Sequence, residues 1–162
     1  MKNKEIKTNA MRQLDRMKIP YQAMTYECES FEDGVQVARQ LSLPIERVYK
    51  TLVTRGSHGT IYVFVIPVAA ELDLKAAARS VGDKAVSMLH VKEIQSVTGY
   101  VRGGCTAIGM KKQFETRIDS SAAAWPGIYV SGGHLGVQIE LKPDDLLRAA
   151  GAEYAELTMP QA

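Results

Sequence analysis

Apolar residues recur at Met11, Leu14, Met17 and Ile19, the spacing of one helical face, with Thr8 or Asn9 able to cap the helix and Pro20 ending it. Residues 21–26 then alternate as a strand does, and the acidic positions Glu27, Glu29, Glu32 and Asp33 mark a turn before a second helix over 35–41. Pro44 suits the first turn of a short helix through Glu46 and Val48. The middle of the chain is plainer. A strand over 50–55, the turn Gly56-Ser57-His58-Gly59 and a strand over 60–68 follow one another. The run Ile61-Tyr62-Val63-Phe64-Val65-Ile66 is apolar at both parities, as a central strand covered on both faces must be. Asp73 caps a helix over 74–81 that stops at Gly82, and another short helix from Val91 to about Val97 stops at Gly99. Strands over 128–131 and 137–141 flank Gly132-Gly133-His134-Leu135-Gly136, which reads as a glycine-bearing hairpin loop. Pro143 with Asp144 and Asp145 opens a final helix that ends at Gly151.

Helices and hairpins intermixed in this way predict an α+β domain with a largely antiparallel or mixed sheet. There is no internal repeat, low-complexity tract or linker, so residues 1–162 are expected to form a single domain. Composition agrees: 46% hydrophobic and 23% charged residues describe one globular chain able to bury a core without disulfide or metal. No apolar run reaches the roughly 18 residues that cross a bilayer, so no membrane partner is expected. The opening Met1-Lys2-Asn3-Lys4-Glu5-Ile6-Lys7 lacks the apolar stretch of a secretory signal. With only Cys28 and Cys105, far apart, free thiols and a cytoplasmic location are expected.

The net charge of +2 hides an uneven distribution: residues 1–20 balance at +4, residues 99–117 at +3 and the last twenty at −3. A basic face can meet nucleic-acid phosphates, though the chain is less basic than dedicated readers of DNA, and DNA is not an expected partner.

Candidate chemistry is sparse. His58, His90 and His134 are scattered and no carboxylate stands at ligand spacing, so neither a metal nor another cofactor is expected. Gly104-x-x-x-x-Gly109 imitates the start of a phosphate-binding loop, but Met110 and Lys111 stand where that loop needs Lys and Ser or Thr. The paired glycines either form a tight turn or let the backbone approach a ligand and aim amide N–H groups at an oxygen. Lys50, behind the apolar Val48-Tyr49 pair, is either a solvated strand end or an ammonium at the rim of an apolar pocket, able to grip a phosphate or polarise a carbonyl. Cys105 has no base beside it in sequence and reads as a small buried hydrophobe; Ser131 lacks the Gly-x-Ser-x-Gly setting of a nucleophile. These residues alone support a pocket for a small ligand or an RNA end.

Four segments in register carry a resemblance. Val48-Tyr49-Lys50-Thr51-Leu52-Val53, Thr98-Gly99-Tyr100-Val101-Arg102-Gly103-Gly104-Cys105 through Lys112, Ile128-Tyr129-Val130-Ser131-Gly132-Gly133, and Gln138-Ile139-Glu140-Leu141 with Asp145-Leu146 resemble the YbaK/EbsC family, over about residues 8–157. These are freestanding relatives of the editing insertion domain of bacterial prolyl-tRNA synthetase. The resemblance implies a mixed, barrel-like curved sheet with surrounding helices, and hydrolysis of mischarged aminoacyl-tRNA, most typically Cys-tRNA(Pro). Deacylation of another small aminoacyl-tRNA such as Ala-tRNA(Pro), or non-catalytic binding of tRNA or a synthetase, are the alternatives. It implies catalytic roles for Lys50 and Gly103, and a substrate pocket of Tyr26, Gly104, Ser131, Gly132 and Gly133. The partners it implies are the aminoacylated tRNA(Pro) and, transiently, prolyl-tRNA synthetase. The chain departs from the family's common pattern in having Thr106 for Ser, Ala107 for Pro, and His134-Leu135 for a Lys-Arg pair.

Overall fold

The computed structural model of the protein describes residues 7–28 and 30–160; the expectations for residues 1–6 and for Glu29 lie outside the described residues. Helix α1 (Asn9–Arg16) is capped by Thr8, whose Oγ1 accepts from the Met11 N–H, and it buries Ala10, Met11 and Leu14. Strand β1 (Gln22–Thr25) leads to α2 (Gly34–Gln40), capped by the Asp33 carboxylate, and then to a 3₁₀ turn at Ile45–Arg47. The antiparallel pair β2 (Tyr49–Gly56) and β3 (Ile61–Pro67) follows, then α3 (Leu74–Ser80), capped by Asp73, β4 (Val86–Met88) and α4 (Val91–Thr98). The last elements are β5 (Glu115–Asp119), β6 (Ile128–His134), β7 (Val137–Leu141), α5 (Pro143–Ala150) and β8 (Glu153–Ala155). Gly99 and Gly151 end α4 and α5 at φ of +89° and +63°, left-handed values that glycine adopts without strain.

The strands form two sheets, in the orders β4-β2-β3-β5-β8 and β1-β7-β6. The pairings β3–β5 and β5–β8 are parallel and the rest antiparallel, so the fold is α+β with mixed pairing. The ladders do not close into a ring, and the two sheets meet instead at a parallel bridge between Val48 and Tyr129. Arg47 braces that junction: it donates to the Gly127 carbonyl at 2.8 Å, pairs with Glu140 at 3.0 Å and lies over the Tyr129 ring. Lys50 is therefore only two residues from a fixed point.

Strand β3 is central, as its apolar run requires. Val65 packs into one core with Met11, Leu14, Ile118, Ile139 and Leu146, while Phe64 and Ile66 pack into another with Ala77 and Leu157. A third, smaller cluster of Ala38, Val48, Val68 and Tyr129 sits at the sheet junction.

Two features depart from the sequence expectations. Strands β4, β5 and β8 occupy stretches with no clear strand pattern. The hairpin loop is also shorter than expected: β6 continues through Gly132 and Gly133 to His134, and only Leu135 and Gly136 turn the chain. Ser131 is opposite Gln138 and His134 opposite Val137, so three steps along β6 match one along β7. Gly132 and Gly133 thus form a bulge, the role a strand glycine often takes.

Candidate active site

Where the two sheets approach each other lies a cavity of about 570 Å³. Its walls are Val48 and β2 as far as Val53, residues 31–33 with the first turn of α2, Val91 and Ile94 of α4, Arg102, Gly103 and Cys105 of the following loop, and Ser131 and Gln138 across the β6–β7 hairpin. Lys50, Gly103 and Ser131, from three separate parts of the chain, all line it.

Lys50 pairs with Ile66 in the β2–β3 register and shares a strand face with Leu52. Burial lowers the pKa of its ammonium, with the Asp33 and Glu71 carboxylates opposing the shift. A half-buried cation is thus held against a mostly apolar wall, where its field is screened less than in open solvent.

The glycine loop is shaped by Tyr100, whose hydroxyl donates to the Ile108 carbonyl at 2.6 Å. Gly103 adopts φ +88°, and a Cβ there would stand 2.7 Å from Leu135 Cδ2 and 3.1 Å from Phe31 Cδ1. Among the described residues the Gly103 N–H has no hydrogen-bond partner. Gly104 differs: its N–H closes a turn onto the Val101 carbonyl at 3.0 Å, and a Cβ would lie 3.0 Å from the His134 carbonyl carbon. Gly104 therefore sets the approach of loop to hairpin and does not line the cavity.

Ser131 Oγ accepts from the Gly133 N–H at 3.2 Å. Gly132 and Gly133 stand behind it, off the cavity wall: the Gly132 carbonyl accepts from Thr8, and a Cβ on Gly133 would be 3.1 Å from the Thr8 side chain. Tyr26 is half-buried and off the cavity wall as well. Its N–H donates to the Gly136 carbonyl, burial raises its hydroxyl pKa, and the hydroxyl interacts with Gln138. Of the residues expected at the site, Lys50, Gly103 and Ser131 come together on the wall, with Tyr26, Gly104, Gly132 and Gly133 immediately around them.

Three further residues of the cavity wall were not singled out in the sequence. The Arg102 guanidinium stacks over the Phe31 ring, 3.8 Å from its centroid, at the cavity edge; an arginine beside two glycines and an aromatic residue set among acids were the available signals. Gln138 and Glu32 each carry a buried Oε1 without a hydrogen-bond partner, and both residues line the cavity. Gln138 reads in sequence as an ordinary outward residue of an alternating strand, and only its pairing with Ser131 turns it inward.

The Cys105 thiol on the cavity wall is not activated. Burial pushes the Cys105 thiol up to about 11, so it is protonated at neutral pH. The Nδ1 of exposed His134 is engaged with the Leu135 carbonyl. Among the described residues, no three His, Cys, Asp or Glu side chains gather where they could hold a metal ion, and no helix is long and apolar enough to cross a membrane.

Comparison with known proteins gives this site its class. Residues 28–149 match the family model of the aminoacyl-tRNA editing domain. The chain is 44% identical over 160 residues to the "Putative Cys-tRNA(Pro)/Cys-tRNA(Cys) deacylase EbsC" of Enterococcus faecalis, covering 97% of this chain and 96% of that protein. It is 28% identical over 111 residues to the uncharacterized protein YwhH of Bacillus subtilis, covering 68% of this chain and 70% of the other. A solved "putative trans-editing enzyme for prolyl tRNA synthetase" superposes with a TM-score of 0.79 at 22% identity, over 96% of this chain and all of that one, which establishes the shared fold. The chain belongs to the aminoacyl-tRNA editing family, in its YbaK/EbsC branch. It is an enzyme of the aminoacyl-tRNA deacylase class.

Proposed function

We propose that this protein acts in trans as a single-domain deacylase of mischarged tRNA, with Cys-tRNA(Pro) as its preferred substrate. The observation that carries the reading is the convergence of Lys50, Gly103 and Ser131 on one apolar cavity large enough for an amino acid and its terminal adenosine. The walls supplied by Val53, Leu89, Val91 and Ile94 suit a small side chain.

The proposed chemistry draws its nucleophile from the substrate. The cysteine thiol loses its proton and attacks its own ester carbon, and the C–S bond closes a four-membered thioester ring. The ester C–O bond then breaks, the tRNA 3′ oxygen leaves and takes up the proton the thiol lost, and water afterwards opens the cyclic thioester to free cysteine. That ring is strained, so proximity alone cannot drive its closure. The unpartnered Gly103 N–H is the donor for the developing oxyanion, a contribution on the order of 10²–10³ in rate. Lys50 holds the carbonyl oxygen or the terminal phosphate, and the Ser131 hydroxyl orients the ribose. Arg102 on Phe31 offers a flat cationic surface at the entrance for the RNA end. Selection of tRNA(Pro) falls to a transient partnership with prolyl-tRNA synthetase, since a net charge of +2 gives little grip on an acceptor stem.

The test is a deacylation panel of Cys-tRNA(Pro), Cys-tRNA(Cys), Ala-tRNA(Pro) and Pro-tRNA(Pro) with the wild-type protein and Lys50→Ala. Cysteinyl esters should be cleaved fastest, and the variant should lose at least two orders of magnitude. Full activity in Lys50→Ala removes the mechanism. Faster cleavage of Ala-tRNA(Pro) reassigns the substrate.

A further inference from the structure

Two side chains on the cavity wall each carry a buried oxygen that is out of balance with the rest of the molecule. Buried polar atoms normally have partners, because an unmade hydrogen bond in a dry site is costly. Gln138 is only 6% exposed, yet its Oε1 is unpartnered; the Glu32 Oε1 is likewise covered and unpartnered. No other buried side-chain nitrogen or oxygen among the described residues lacks a partner, and these two line the same cavity. Both bear on the Tyr26 hydroxyl, whose pKa burial raises, the Gln138 carboxamide lowers and the Glu32 charge raises. The carboxylates that act on Lys50 are Asp33 and Glu71, and among the described residues no cation pairs with Glu32.

What is missing is therefore a donor, and the Glu32 carboxylate favours one that carries positive charge. Within an aminoacylated adenosine, the α-ammonium is the one cationic donor, with three N–H groups and no acceptor. Resting on the deacylase reading, we infer that Glu32 and Gln138 form the subsite for the free α-ammonium of the aminoacyl group. The pair makes the enzyme selective for esters whose amine is unblocked. An acylated amine is neutral, keeps one N–H and carries a carbonyl oxygen into a pocket that already offers two acceptors. N-blocked esters, such as peptidyl-tRNA and formylated aminoacyl-tRNA, are rejected by the same two atoms. The subsite also fixes the Cα of the substrate, so its side chain and ester carbonyl diverge towards different walls. Glu32 and Gln138 are thus specificity residues rather than proton carriers.

The experiment compares Cys-tRNA(Pro) with N-acetyl-Cys-tRNA(Pro), whose thiol and ester are unchanged. The wild-type protein should cleave the acetylated ester roughly 10- to 100-fold more slowly in kcat/KM. Glu32→Gln and Gln138→Met should lose cleavage of the free-amine ester, chiefly through KM, while cleaving the acetylated ester no more slowly than the wild type does, or faster as the rejecting acceptor is removed, so that the ratio falls towards one. Gln138→Met is checked for its unfolding midpoint; Glu32→Gln, at a partly exposed position, reads the same ratio independently. Equal cleavage of both esters by the wild-type protein overturns the subsite and leaves the deacylase reading intact. Variants that slow both esters equally overturn it as well, because that is a merely structural effect. Cleavage of neither ester overturns the deacylase reading and the subsite with it.

Discussion

Thr8 and Gly132, 124 residues apart, are joined by a 2.6 Å hydrogen bond from the threonine hydroxyl to the glycine carbonyl. The same Oγ1 accepts from the Met11 N–H at 3.1 Å, so one buried side chain both starts α1 and pins the β6 bulge beside Ser131. The hairpin carrying Ser131 and Gln138 is in this way tied to the first helix of the chain.

Thr8→Ala removes a helix cap and leaves the Gly132 carbonyl unpaired in a buried setting. Each loss is worth about 1 kcal/mol or more, so stability should fall by about 2 kcal/mol in denaturant titration. Deacylation should weaken too, because Ser131 is the residue before the freed carbonyl. Thr8→Ser keeps the hydroxyl and should recover most of both losses. A Thr8→Ala variant as stable as the parent would show that the bond is not formed.

Gly103→Ala tests the glycine loop at the cavity itself. At φ +88° any side chain is strained, and here the Cβ would press on Leu135 and Phe31 at 2.7 and 3.1 Å. The backbone strain costs about 1–2 kcal/mol. The loop is expected to relieve it by moving the 103 N–H away from the acyl oxygen. The predicted signature is a fall in kcat of at least 10-fold with a smaller loss of thermal stability. Gly82→Ala is the control: its φ is +72°, but nothing lies within 4 Å of the added Cβ, so it should cost stability and leave kcat unchanged.

How much of this arrangement was legible in the chain depends on how local its cause is. The caps Thr8, Asp33, Asp73, Gly99 and Gly151 act within one turn, and the sequence signals for α1, α3, α4 and α5 match the observed elements closely. The Ile61–Ile66 run correctly placed β3 at the centre because only a strand covered on both faces tolerates it. Strands β4 and β8 are three residues each, and their pairing with β2 and β5 is set by distant chain, so no local period betrays them. The Gly132-Gly133 pair reads locally as a turn; that it is a bulge follows only from the Ser131–Gln138 register. Family resemblance singles out Lys50 and Gly103, which the structure places on the cavity wall, whereas the unpartnered oxygens of Gln138 and Glu32 are a property of the packed molecule that no local pattern shows.

Lys50 should have opposite effects on stability and function. Burial lowers its pKa below the ordinary lysine value of 10.5. Between the lowered value and 10.5 the folded chain binds fewer protons than the unfolded one, so stability rises with pH across that window. Below the window the charged amine costs the folded state. Lys50→Met should therefore raise stability at neutral pH, modestly because the amine stays partly solvated. That advantage should shrink through the window and vanish above 10.5. Binding of a non-hydrolysable cysteinyl 3′-amide adenosine to the parent should weaken as pH rises through the lowered lysine pKa. A Lys50→Met protein less stable than the parent at pH 7 would contradict the desolvation of the amine.

Asp83 gives the opposite pH signature, away from the cavity. Its carboxylate accepts from the Ser57 N–H and hydroxyl, the Tyr62 hydroxyl and the Ala85 N–H, joining the β2–β3 hairpin to the loop before β4. Those donors, the Ser57 hydroxyl foremost, hold its carboxyl well below the usual carboxylate range. A depressed folded pKa stabilises the protein above the unfolded carboxyl value of about 3.9, and the contribution is lost as pH falls below it. Asp83→Asn should thus lower the melting temperature at pH 7, and the gap to the parent should close as pH is taken from about 4 towards 2. Because Asp83 does not line the cavity, kcat at 25 °C should be unchanged. A melting gap that stayed constant between pH 7 and pH 2 would show that the carboxylate charge contributes nothing and that the gap comes from hydrogen bonds asparagine cannot reproduce.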